Sequence, residues 1–208
     1  MEAKEWKEKL LLEKKNGYDR MPKEEREAMD RYCAGSKAFS DAGKTERECV
    51  REGIRLAREK GFRPYERGMA LKSGDKVYLD NRGKMLMLAV IGQKPLSEGA
   101  QITAAHIDSP RLDLKPSPLY EESEMAYLKT HYYGGIRKYQ WVTIPLEIHG
   151  VVALKDGKTV SVVIGEGEEP KLVVNDLLPH LGAEQSKKTL AEGITGEQLN
   201  ILVGSEPM

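Results

Sequence analysis

A histidine followed two residues later by an aspartate, His106 and Asp108 in the stretch AAHIDSPRLDLK (Ala104 to Lys115), is the spacing in this chain best suited to chemistry. The β-forming run Ile102-Thr103-Ala104-Ala105 leads into it and predicts a short buried strand. On an extended backbone residues i and i+2 share a face, so His106 and Asp108 project the same way. One imidazole nitrogen would then bind a metal ion, while the carboxylate holds the other ring N–H and fixes the tautomer. Ser109-Pro110 should end that strand, because proline has no N–H to give to a ladder. An ordinary structural histidine at a strand end has the same local sequence.

The elements that must position these residues begin with helices. Trp6, Leu10 and Leu11 lie on one side of a charged segment that should stop before Asn16-Gly17. A second helix is expected from Lys23 to Ser40, introduced by Pro22. A third starts at Thr45-Glu46-Arg47-Glu48, the signature of a capping box, with Cys49, Val50, Ile54 and Leu56 on its buried face and Gly61 as its stop. Lys76–Leu79 and Lys84–Ile91 read as strands around the turn Asp80-Asn81-Arg82-Gly83. The unbroken apolar run Met85 to Ile91 is what a strand covered on both faces looks like. Helices followed by mixed strands indicate an α/β sheet with helices packed on it.

Beyond Pro116 the character becomes β-rich. Trp141–Leu154 and Thr159–Ile164 flank a turn at Lys155-Asp156-Gly157-Lys158, Lys171–Val174 is a further strand, and a short helix is expected around Leu181 to Ala191. The division is therefore residues 1–115, an α/β unit, and 116–208, a small β-rich one. GEGEEP contains Gly-x-Gly but opens no helix, which excludes phosphate binding there.

Lysine plus arginine and aspartate plus glutamate both number 33, a balance that argues against nucleic acid as a partner. The N-terminal sequence lacks an apolar signal, and no stretch approaches the length of a membrane span. Cys33 and Cys49 fall in expected helices, form no CxxC pair and read as reduced thiols. Together these features predict a cytoplasmic protein. His-Glu-x-x-His, Gly-x-Ser-x-Gly and Walker motifs are absent.

Five ordered motifs, AHIDSPRLDLKPSPLYE, KTHYYGGIRKYQW, PLEIHGVV, NDLLPHL and LNILVGS, resemble the M18 family of zinc aminopeptidases, the aspartyl aminopeptidase type. The likeness runs from about Lys44 to Ser205. It implies a zinc-exopeptidase α/β domain followed by an inserted β-rich domain of the dimerisation type. It also implies a two-zinc centre, in which cobalt or manganese suits the same donors, peptide substrates with acidic N-terminal residues, and a large homo-oligomer.

By the resemblance His106 is the first metal ligand and Asp108 its orienting partner. His180, in LLPHL, would reach from the inserted domain into a neighbouring subunit and donate to the oxyanion forming on the scissile carbonyl. His131 and His149 are read as structural, Gly134-Gly135 as a sharp bend, and Asp113, Glu121, Glu122 and Glu124 as surface carboxylates. The other metal ligands and the general base belong, in the family, to a C-terminal half that these residues do not include. The chain therefore reads as an N-terminal portion inactive alone, or alternatively as an assembly module or one half of an enzyme completed in trans.

Overall fold

The computed structural model describes residues 3–12 and 14–206. Its first unit is helical: α1 (Ala3–Leu10), α2 (Gly17–Arg20), α3 (Lys23–Ala42) and α4 (Glu46–Glu59). The first helix stops at Leu10, earlier than expected; Glu13, in the remainder of that stretch, lies outside the described residues. Asn16 instead caps the short α2, its side chain accepting from the Tyr18 N–H at 3.0 Å.

The α4 N-terminus is the capping box anticipated from Thr45 and Glu48. The Glu48 carboxylate accepts from the Thr45 N–H at 2.9 Å, and the Thr45 hydroxyl accepts from the Glu48 N–H at 3.3 Å. Cys49, Val50 and Ala57 are buried, whereas Ile54 and Leu56 are half-buried.

This helix lies on a mixed three-stranded sheet of β1 (Arg63–Pro64), β2 (Lys76–Asn81) and β3 (Met85–Val90), with β1 and β2 parallel and β2 and β3 antiparallel. The contact is close: a Cβ on Gly53 would meet the Leu86 side chain at 2.8 Å. Arg58 donates to the Tyr78 hydroxyl at 2.8 Å across the same interface. The β2–β3 turn falls at Arg82-Gly83, both at positive φ, with the Gly83 N–H donating to Asp80 at 2.7 Å.

Two expectations fail in this unit. Met85 to Ile91 was expected to be covered on both faces, yet Met85, Met87, Leu88 and Val90 are exposed, because β2 is the only strand paired with β3 among the described residues. Ile102 to Ala105 forms no strand. It is irregular and exposed, with Ile102 at 79 %, since four β-forming residues without a partner strand gain neither hydrogen bonds nor packing.

The next strand starts where one was expected to stop. β4 (Arg111–Glu122) begins directly after Pro110 and pairs antiparallel with β5 (Met125–Tyr133). Pro116 and Pro118 fit because β4 is an edge strand and its register shifts between Leu114 and Leu119. β6 (Ile148–Ala153) and β7 (Thr159–Ile164) form a separate hairpin around the anticipated turn, with Gly157 at φ 86°. β8 (Val173–Val174) and β9 (Ile201–Gly204) complete a four-stranded sheet in the order β4-β5-β9-β8.

Its core is Val142, Val174, Ile194, Leu199 and Ile201. Thr130, the one buried polar residue among those described, donates to the Leu199 carbonyl. The helix expected around Leu181 to Ala191 is a single 3₁₀ turn, Gln185–Lys187, because Gly182 interrupts it and Leu181 and Leu190 stay largely exposed instead of forming a buried face. The architecture is mixed α/β with several sheets. No helix among the described residues is long and apolar enough to cross a membrane.

Candidate functional site

His106 and Asp108 meet, although not on a strand. They sit in the irregular segment before β4, where the His106 Nδ1 lies 3.2 Å from Asp108 Oδ1 and 3.0 Å from the Asp108 backbone carbonyl. The imidazole is 82 % exposed, and its Nε2 has no hydrogen-bond partner among the described residues. With an acceptor fixed at Nδ1, the favoured neutral tautomer carries its proton there and leaves the Nε2 lone pair available.

Asp108 is held from its other side. The Tyr133 hydroxyl donates to Oδ2 at 2.7 Å, and this bond, with backbone and His106 contributions, keeps the carboxyl below its ordinary pKa range. The same bond raises the Tyr133 phenol.

The segment is tied down by α4 and by the ends of β4 and β5. The Cys49 Sγ lies 3.6 Å from the Ile107 carbonyl. Arg111 donates to Glu46, in the first turn of α4, at 3.0 Å and to Asp113 at 2.7 Å. Arg111 and Tyr133 are direct partners in the β4–β5 register, and the guanidinium lies 4.3 Å from the Tyr133 ring centroid. Gly134 follows at φ 82°, where a Cβ would stand 3.4 Å from Pro110 Cα, so the bend anticipated at Gly134-Gly135 is also a close backbone approach.

The other histidines are placed differently. His149 is in β6 with its side chain 9 % exposed, Nδ1 at 2.9 Å from Glu48 and Nε2 at 3.3 Å from Glu147. Burial pushes this imidazole down, but the hydrogen bonds and charges of the two carboxylates outweigh it and hold the pKa above its ordinary value. Both ring nitrogens are engaged. His131 stacks on Tyr132 at 5.7 Å.

His180 lies in an exposed turn flanked by the exposed Leu177, Leu178 and Leu181, and it does not join the contacts around His106. A groove of about 830 Å³ between the start of α4, β4 and the β6–β7 hairpin is lined by Glu48, Arg111 and His149; His106 and His180 do not line it.

No group of three or more His, Cys, Asp or Glu suited to a metal ion occurs among the described residues. By donor chemistry His106 Nε2, backed by Asp108, could serve as one zinc ligand, where a zinc site needs about three from protein.

Residues 39–207 match the family model for the aminopeptidase I zinc metalloprotease, M18. The chain belongs to the M18 family. It is 50 % identical over 206 residues to the Probable M18 family aminopeptidase 1 of Clostridium acetobutylicum, covering 96 % of this chain and 44 % of that one. Among solved M18 structures, the Thermotoga maritima aminopeptidase matches with a TM-score of 0.85 at 41 % identity, over 95 % of this chain and 43 % of its own.

Aminopeptidase I of Clostridium acetobutylicum gives a TM-score of 0.81 at 46 % identity, over 95 % and 44 % of the two chains. An S. cerevisiae mApe1 dodecamer, 18 % identical with a TM-score of 0.57 over 82 % of this chain and 47 % of its own, shares the fold alone. The chain thus spans under half the length of the M18 relatives it matches.

Tyr133 and Arg111 were not foreseen as parts of this corner. Each stands beside a residue the sequence did mark, Pro110 and Gly134, but only the strand register brings them together.

Proposed function

We propose that these residues form the N-terminal part of an M18 aminopeptidase that removes N-terminal residues, acidic ones by family habit, from peptides. His106 supplies one ligand of its two-zinc centre. The observation that carries this reading is an imidazole fixed through Nδ1 with its Nε2 unengaged, in a chain of this family. Zinc, when bound in a complete centre, supplies Lewis-acid polarisation of the scissile carbonyl. Asp108 keeps the His106 proton at Nδ1, and Arg111 and Tyr133 hold the loop that carries both.

The remaining ligands and the general base lie outside these 208 residues, so the chain alone neither holds stoichiometric zinc nor hydrolyses peptides. His180, exposed among leucines, fits a residue presented to another subunit of a homo-oligomer, where it would donate to the developing oxyanion. The protein acts in the cytoplasm, without nucleic acid or membrane.

The exposed apolar β3 leaves a face for the remainder of an M18 enzyme to cover, since relatives carry more than twice this length; a separate polypeptide supplying that remainder is a second form of the same reading. The alternative of a non-catalytic assembly module draws on the exposed valines of β6 and β7.

Metal analysis of the purified chain, with aspartyl and leucyl fluorogenic substrates, tests the proposal. Zinc well below one per chain and no turnover are expected. Adding a polypeptide that contains the rest of an M18 sequence should restore turnover, and His106→Ala should abolish it. Robust turnover by the chain alone, lost in His106→Ala, would refute the claim that the missing donors are essential.

A further inference from the structure

Asp108 has two acceptors within reach of His106 Nδ1, its carboxylate at 3.2 Å and its own backbone carbonyl at 3.0 Å. The carbonyl is fixed by the chain, whereas the carboxylate, whose side chain is about one-third exposed, can rotate unless a contact holds it. One observed contact does: the Tyr133 hydroxyl on Oδ2 at 2.7 Å. An ionised carboxylate only accepts, so the phenol is the donor.

Tyr133 is itself fixed by more than its strand. The guanidinium over its ring belongs to its cross-strand partner Arg111, and that guanidinium is pinned by Glu46 on α4 and Asp113 on β4. The path from helix to imidazole runs Glu46, Arg111, Tyr133, Asp108, His106, each pair in direct contact. Gly134 lets β5 close on Pro110, which brings the phenol within reach of the loop.

We propose that Tyr133 is a positioning residue: its hydroxyl, held beneath Arg111, anchors the Asp108 carboxylate so that His106 keeps its proton on Nδ1 and offers Nε2 as a ligand. The inference deepens the ligand reading of His106 and rests on it. An anchored acceptor favours one ring tautomer before any metal arrives, so the ligand is preorganised.

The test is a ¹⁵N long-range NMR spectrum of the uniformly labelled 208-residue chain without metal, at a pH of about 8.5, where an ordinary imidazole is neutral. The ring nitrogen shifts of His106, assigned through His106→Gln, give its ratio of Nδ1–H to Nε2–H tautomers. Tyr133→Phe keeps the ring beneath Arg111 and removes only the hydroxyl. The ratio should fall about threefold, the scale of one ordinary hydrogen bond, with the His149 ring unchanged; Asp108→Asn should lower it at least as far.

If Tyr133→Phe does not fold, Arg111→Lys, which removes the planar fork, should lower the ratio in the same direction by a smaller factor. A wild-type ratio in a folded Tyr133→Phe, with Asp108→Asn lowering it, overturns the proposal and leaves the ligand reading intact. A ratio unmoved by either variant overturns it too, because the backbone carbonyl then sets the tautomer. The measurement involves no metal, so failure of the zinc and peptidase tests would be separate and recognisable.

Discussion

Two histidines in this chain face carboxylates, and their surroundings differ in nearly every other respect. His149 sits in a strand, almost wholly covered, with Glu48 on one nitrogen and Glu147 on the other. His106 sits in a loop, largely open, with Asp108 on one nitrogen and nothing on the second. A ring with both nitrogens satisfied holds two parts of a fold together; a ring with one lone pair held in reserve can bind. The difference lies in saturation and burial, not in residue type.

The largest consequence concerns His149. It joins β6 to the capping box of α4, because the Glu48 that caps the helix also meets the imidazole. His149→Ala leaves a nearly covered carboxylate without that partner and should cost about 2–4 kcal/mol of stability, read as a fall in Tm and in the denaturant midpoint. A loss below that range would mean that Arg51, 3.8 Å from Glu48, or entering water replaces the imidazole.

The same pair sets a pH window. His149 has a folded pKa above its ordinary 6.5, so its contribution is complete below that value and disappears as pH rises through the folded pKa. Glu48 is pushed up by burial, but hydrogen bonds from His149 and Thr45 prevail and hold it below 4.5. Its contribution is present above that value and disappears as pH falls through the folded pKa. Glu147, which also accepts from Lys171 at 3.0 Å, is lowered and acts in the same sense as Glu48. Stability from this cluster should therefore be greatest between about pH 4.5 and 6.5, and chemical denaturation across pH should show the alkaline decline vanish in His149→Gln. A decline that persists there would assign it to another group.

Thr45→Ala sharpens the comparison from the helix side, since α4 supports both histidine clusters through Glu48 and Glu46. Losing the cap should cost about 1 kcal/mol. Amide exchange should quicken at the first turn of α4 without changing the tautomer of His106 unless Glu46 moves.

Much of this arrangement could be read from residue order, and what could not has physical causes. The α4 capping box is local chemistry within four residues, and it formed as expected. The meeting of His106 with Asp108 was also legible, although it was argued from a strand and occurs in a loop, because two side chains separated by one residue can meet in either. The β4–β5 pair was hidden for two reasons. Pro116 and Pro118 interrupt the alternation of β4, and the turn at Ser123-Glu124 uses two non-glycine residues at positive φ, so no Asn-Gly or Asp-Gly marked it. The partnerships Glu48–His149 and Arg111–Tyr133 depend on pairing across 101 and 22 positions, which one sequence does not encode locally. The open face of β3 is the converse: its apolar run forecast a covered strand, and the cover is absent among the described residues.

The smallest expected effect separates the two histidines most cleanly. His106→Ala removes an exposed ring whose contacts are one side-chain carboxylate and one backbone carbonyl. It buries little surface, and its loss leaves Asp108 still bonded to Tyr133 and accessible to water. Stability should therefore change by no more than about 0.5 kcal/mol, in the same denaturation assay that registers His149→Ala severalfold larger. A cost comparable to that of His149→Ala would mean that the His106 ring is part of the fold's support, and the case for a nitrogen held in reserve would fail on energetic grounds alone. A negligible cost leaves function as the reason for an imidazole held in place by so elaborate a set of contacts, because a side chain that contributes almost nothing to folding gains nothing there from an oriented carboxylate.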